Sequence, residues 1–390
     1  MEVQTGTVRA LFALAIACVL ALGGSAQTPP ATPPAAVQCA TCNDRGVVPC
    51  RLCGRAPCKS AHPFTFCSEA AKCRDCGGTQ LEKCSKCEHA PEVDLAKRRA
   101  EIAAWLAANK PIDDYMGHPS TRCESAHFTL TFDLKSIDVK GATNAHAAMH
   151  VYLDRLEDLF ADFCKDIGCG ETDFLGPTHV MLWANEKDQT KASSKYTLQS
   201  SKSESKLMGA KPVVSIYYDK SRLHDEGELH AAMVHEVAHC LLSNIYDGVW
   251  PGNIKCGWID EGLAHFYENK YFGEVRHYCY VEEEATKAYK FGRWESDVRN
   301  AVEQKKAPEF LTVTGLDTVA MSGEQRQFAW SYCDYIVRGL PGKFGALAKA
   351  LKAKKVVSDA LPVALHMNPL EFEANWKKWV LETYSNKGKK

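Results

Sequence analysis

The stretch "AAMVHEVAHCLL", residues 231–242, contains His-Glu-x-x-His. On a helix, His235 and His239 lie four positions apart, so their rings project from one face and reach the same ion. Glu236 points beside that ion and is placed to take the proton of a water held there. Leu229, Ala232, Met233, Val237, Ala238, Leu241 and Leu242 predict a packed interior around the pair, where low water access strengthens a metal's pull on its water. Cys240 adjoins His239 but points off the histidine face and reads as packing.

A catalytic zinc needs a third protein ligand and an open fourth position. The segment "CGWIDEGLAHFYENKYFG" (256–273) supplies the candidate. Glu261 follows His239 by 22 residues, enough for the first helix to end, a loop to turn at "DGVWPGNIKCG" and a second helix to return across it. Gly262 and Ala264 permit close helix contact, while His265 and Glu268 share the face of Glu261. One of Asp260, His265 and Glu268 is expected to orient a ligand histidine through its second ring nitrogen.

These two motifs resemble those of the gluzincin metallopeptidases, in which HExxH is followed by a glutamate ligand inside a W-x-x-E-G-x-A helix; "WIDEGLAHFYE" matches from Trp258 through Ala264. The likeness is greatest to the small peptidase-MA-like branch of exported bacterial proteins. It implies His235, His239 and Glu261 as zinc ligands and Glu236 as general base. It also implies that "PVVSIYYD" (212–219) is an edge strand that pairs with an extended polypeptide substrate. Further on, "RQFAWSYCDYIV" (326–337) and "NPLEFEANWKKWV" (368–380) resemble later helices of that branch. Tyr332, with Tyr335 in reserve, is the candidate oxyanion donor; the alternative is that both are core aromatics.

Upstream, "HFTLTFDL" (127–134), "HVMLWAN" (179–185) and "PVVSIYYD" read as strands, and residues 144–168 read as a helix. The serine-rich segment "KDQTKASSKYTLQSSKSESK" reads as a mobile loop. Strands first and helices after predict an α+β fold: a gluzincin-like domain over 121–390, with a small mixed sheet and a mostly helical C-terminal part. His146 and His150 lie four apart on the predicted helix, but without a third partner they read as surface or packing residues.

Ten of the 18 cysteines fall between Cys39 and Cys87, and eight form CxxC pairs: Cys39/Cys42, Cys50/Cys53, Cys73/Cys76 and Cys84/Cys87. The gaps between pairs are seven, nineteen and seven residues, and this symmetry predicts nesting, pairs one and four on one zinc and pairs two and three on another. The segment resembles the cysteine-rich zinc region of DnaJ-type cochaperones. Gly46 and Gly78 fit its glycine pattern, while Asp44, Arg55 and Glu88 interrupt it. The likeness implies two structural zinc ions and contact with extended polypeptide. The alternative is a disulfide-stapled domain; Cys58 and Cys67, which belong to no pair, are expected to bridge each other. A further seven cysteines, Cys123, Cys164, Cys169, Cys240, Cys256, Cys279 and Cys333, leave at least one unpaired.

The N-terminus carries Arg9, the apolar run "ALFALAIACVLALGG" and the small-residue site "SAQ", the pattern of a cleaved signal peptide over 1–26. Proline-rich residues 27–38 read as a tether, 39–90 as the cysteine-rich domain and 91–120 as a connecting helix broken at Pro111. No later segment is apolar enough to span a membrane, and Lys plus Arg at 47 against Asp plus Glu at 48 gives no basic field for nucleic acid. The expected function is an exported zinc metallopeptidase. The alternatives are a non-catalytic polypeptide-binding relative and, less favoured by the regular pairs, a thiol-disulfide exchanger.

Overall fold

The computed structural model describes residues 39–53, 58–279 and 294–385, so the expected signal peptide and tether lie outside the described residues. In the cysteine-rich stretch, β1 (Val47–Pro49) pairs antiparallel with a later strand, β3 (Leu81–Lys83). Between them, β2 (Phe66–Cys67) leads into the single turn α1 (Ser68–Ala71). β2 belongs to a different sheet: it pairs antiparallel with β4 (Thr121–Glu124), placing Cys67 opposite Cys123. The cysteine-rich stretch therefore supplies an outer strand of the main sheet.

The connecting segment forms α2 (Leu95–Met116), capped by the Asp94 carboxylate on the Ala96 and Lys97 N–H groups and ended by Gly117 in the left-handed conformation. The expected break at Pro111 does not occur. Contacts on both sides of the proline hold the axis: Trp105 donates to Glu124 at 2.7 Å before it, while after it Asp113 pairs with Arg122 at 2.6 Å and Met116 is buried.

The main sheet runs β2-β4-β5-β6-β8-β7. β5 (Phe128–Phe132) leads through α3 (Ala145–Ile167) to β6 (Thr178–Trp183), which lies parallel to it. β6 leads through α4 (Glu186–Ala192) and β7 (Glu204–Leu207) to β8 (Val213–Tyr217), again parallel to β6. Alternation sorts the side chains by face: Val180 and Leu182 join the large core with α3, whereas Met181 and Trp183 pack with Met116 and Ala192.

Two expectations fail in this region. The supposed mobile loop holds α4, a π turn at Ser193–Thr197 and β7, because its hydroxyls bond one another and the backbone: Ser193 Oγ donates to the Thr190 and Ser201 carbonyls, and Thr197 Oγ1 donates to Ser205. In turn, "PVVSIYYD" is not the edge. β7 pairs antiparallel outside it, leaving β8 buried on both faces, with Ser215 linking Trp183 and Gln189 on one of them.

The remainder is helical: α5 (Glu226–Asn244), α6 (Gly257–Phe272), α7 (Trp294–Glu303), α8 (Phe310–Thr314), α9 (Gly323–Asp334), α10 (Phe344–Lys352), α11 (Val357–Leu365) and α12 (Pro369–Thr383). The result is the expected α+β architecture, with a small mixed sheet before a mostly helical C-terminal part. α6 packs between α5 and α9. Gly262 makes the second contact possible, since a Cβ there would collide with the Ala329 carbonyl of α9. Among the described residues no helix is long and apolar enough to cross a membrane.

Candidate metal centre

α5 begins with Asp225 capping the Glu228 N–H, and from Ala231 to its end every residue is buried. A helix apolar nearly all round belongs in a core. Its last carbonyls, of Leu242 and Ser243, accept hydrogen bonds from the buried Lys352 ammonium at 3.3 and 2.6 Å.

One turn of α5 and the crossing α6 bring the expected ligands together. His235 Nε2 and His239 Nε2 stand 3.0 Å apart, and Glu261 presents Oε1 at 3.5 Å from His239 and Oε2 at 4.0 Å from His235. All three side chains are fully buried. A fourth donor joins them: Cys279 Sγ lies 3.5 Å from His235 Nε2 and 3.8 Å from His239 Nε2, and the four donor atoms lie within 4.8 Å of one another. Tetrahedral zinc, with bonds of about 2.0–2.3 Å, places its ligand atoms roughly 3.3–3.7 Å apart, and this donor set fits such an ion.

The other ring nitrogens are held by carboxylates. His235 Nδ1 bonds Glu268 Oε1 at 2.7 Å, and His239 Nδ1 lies 3.0 Å from Asp260 Oδ1. Asp260 is fixed in turn by Trp250 Nε1 at 2.9 Å and Thr318 Oγ1 at 3.1 Å; Glu268 accepts the Arg276 and His277 N–H groups, each at 2.7 Å. Two of the three proposed orienting residues thus serve. The third, His265, links Glu268, 3.0 Å from its Nδ1, to Glu261, 3.4 Å from its Nε2. Burial and neighbouring histidine charges hold the His235 pKa well below its ordinary value, leaving a neutral ring with a lone pair to give a metal.

Glu236 is buried beside the fourth donor. Lys206 Nζ of β7 lies 2.8 Å from Glu236 Oε2 and 2.8 Å from Cys279 Sγ, so one ammonium touches both. His277 Nε2 approaches Glu236 Oε1 at 3.6 Å and Glu204 at 3.2 Å. Burial alone would raise the Glu236 carboxyl; Lys206, His277 and His239 more than offset it and keep the group ionised. Burial likewise disfavours the His277 charge, yet Glu204 and Glu236 push its pKa up to about 9.

Arg326 of α9 completes the surround. Its Nη1 makes an ionic contact with Glu261 Oε2 at 2.7 Å, while Nη2 donates to the Thr318 carbonyl at 2.6 Å, so Glu261 has Oε1 left to face the ion. Tyr332, six residues on, is not brought to the cluster. Its ring packs against Trp376 at 4.7 Å and Phe310 at 5.0 Å, and Tyr335 packs on Phe372 and Trp379. The core-aromatic alternative describes both. Lys206, Cys279, Arg326 and His277 were not anticipated. The odd cysteine count was the only signal for Cys279.

In the N-terminal stretch the CxxC pairs nest as their spacing predicts. Cys39, Cys42, Cys84 and Cys87 form one group able to hold a metal ion, and Cys50, Cys53, Cys73 and Cys76 form another. Cross-pair Sγ distances of 3.4 and 4.0 Å in the first and 3.8 and 3.5 Å in the second exceed the roughly 2.05 Å of a disulfide and suit an S4 tetrahedron. Gly46 takes φ of +68° where a Cβ would strike Ala90; Asp44 adopts φ of 64°, its carboxylate accepting the Cys39 N–H at 2.8 Å. The expected Cys58–Cys67 bridge is absent, because the sulfurs stand 3.7 Å apart and both face His146. No disulfide joins any cysteines among the described residues.

No known family profile and no curated protein sequence matches the chain.

Proposed function

We propose that the chain is an exported zinc-dependent metallopeptidase, with His235, His239 and Glu261 as ligands of the working ion. One observation supports the reading: Glu236 lies beside Cys279, the fourth donor, and the two share the Lys206 ammonium. A closed structural site has no use for a base there. Zinc held at this site would supply Lewis acidity to a water and to a scissile carbonyl. Glu236 accepts the proton of the attacking water and passes it to the leaving amine. Asp260 and Glu268 keep both Nε2 atoms aimed inward. In this reading Lys206, and not Tyr332, would hold developing negative charge on the substrate oxygen.

Peptide as substrate class rests on the likeness to gluzincins in HExxH and "WIDEGLAHFYE" and on the neighbouring sheet edge, since β7 carries Lys206 and is the outer strand. Zinc is likewise the ion proposed for the two S4 groups, by thiolate chemistry and tetrahedral spacing. Export rests on the N-terminal signal pattern.

Cys279 favours a second reading. Four protein donors make a closed centre, as in a non-catalytic protein that grips polypeptides through its cysteine-rich part. Cys279→Ala separates the two. For the peptidase, the variant keeps its metal and cleaves a reduced, alkylated polypeptide faster than the parent, and adding Glu236→Gln abolishes that cleavage without releasing metal. If Cys279→Ala instead loses one equivalent of metal and neither protein cleaves, the catalytic reading is wrong.

A further inference from the structure

A second, partly buried cluster, separate from the HExxH residues, has the composition of a metal site. His146 and His150 lie one turn apart on the buried face of α3. Cys58 Sγ and Cys67 Sγ approach His146 Nε2 at 3.2 and 3.3 Å and each other at 3.7 Å, and all four donors lie within 4.8 Å of one another. His150 is fully buried beneath the Phe64 ring, and neither of its nitrogens has a hydrogen-bond partner. A buried imidazole without a partner is a costly arrangement unless one nitrogen gives its lone pair to something.

We propose that Cys58, Cys67, His146 and His150 form a Cys2His2 site for a zinc-class divalent ion, which fastens the cysteine-rich stretch to α3. Around such an ion the expected spacings are about 3.75 Å between sulfurs and about 3.6 Å between sulfur and nitrogen, close to those observed. Two thiolates and two neutral rings cancel the charge of a divalent ion, so the complex is neutral, which suits a half-buried site. Helix spacing supplies both histidines, and Cys67 is seated where β2 meets α1, its sulfur accepting the Ala70 N–H at 3.5 Å. The same face of α3 grips the chain between the cysteines: Asp154 accepts from Ser60 Oγ at 2.5 Å and from the Ala61 and His62 N–H groups at 2.8 and 3.0 Å. A disulfide at Cys58–Cys67 would need the sulfurs to close by well over an ångström and would leave His150 unserved.

The test begins with the unaltered full chain loaded with zinc. Alkylation mapped by peptide mass should find Cys58 and Cys67 protected together, then reactive together on chelation. His146→Asn with His150→Asn should lower bound zinc by one equivalent, and adding Cys58→Ser with Cys67→Ser should remove no more. A Cys58–Cys67 disulfide in the purified protein, or labelling of these thiols that chelation leaves unchanged, would overturn the site. The labelling requires no variant to fold, and neither readout depends on peptidase activity.

Discussion

The two S4 groups and the His-Glu-Cys centre each gather side chains able to hold a metal ion but rest on opposite foundations. Around the inner S4 group the buried cluster consists of Cys50, Cys73 and Cys76, with Cys53 against it. Nothing apolar surrounds these cysteines, so an ion there is the core of its own region. The HExxH centre lies inside a core running from Cys67 to Tyr384, walled by α5, α6 and α9. The first region would fold around a metal; the second would fold and then receive one.

Removing metal should therefore give the largest and most local effect. Chelation is expected to erase amide-exchange protection across residues 39–53 and 73–87, while α5, α6 and α9 remain protected. Equal loss in both regions would break the contrast. Within the second region the ion is a guest among charges that still need one another. Arg326→Ala leaves Glu261 buried without its cation and should cost about 3–5 kcal/mol in denaturant unfolding; a change under roughly 1 kcal/mol would mean the pair does not hold the centre together. Gly262→Ala tests the helix contact beneath the centre. Forcing α6 from α9 should cost about 1–3 kcal/mol and lower metal affinity at that centre with the S4 groups unaffected. Smallest, Trp105→Phe removes the bond to Glu124 at the junction of the two regions and should cost roughly 1–2 kcal/mol, seen as faster proteolysis between 90 and 121.

What the sequence disclosed follows the same division. The CxxC pairs are local, and their palindromic gaps contain the pairing because a hairpin folds symmetric spacing onto itself. His235, Glu236, His239 and Glu261 were legible because a helix converts a four-residue interval into a shared face. Lys206 was hidden because β7 is a short outer strand whose buried residues, Glu204 and Ser205, are polar, with Glu204 held by Arg222 at 2.8 Å in place of apolar alternation. Arg326 and Cys279 come from elements that only the tertiary fold sets against α6. Cys58 and His146 are 88 positions apart; each pair alone has a bland explanation, and only their meeting does not. Pro111 misled because local propensity was overruled by anchors on either side.

The pairing of Phe66–Cys67 with Cys123–Glu124 bears on where the protein can be cut. An expression fragment starting after residue 90 would retain α5 and α6 yet strip the hem from the sheet, leaving the Thr121–Glu124 backbone bare and ready to recruit another molecule. Such a fragment should precipitate or pair with itself, and its defects would say nothing of the chemistry inside.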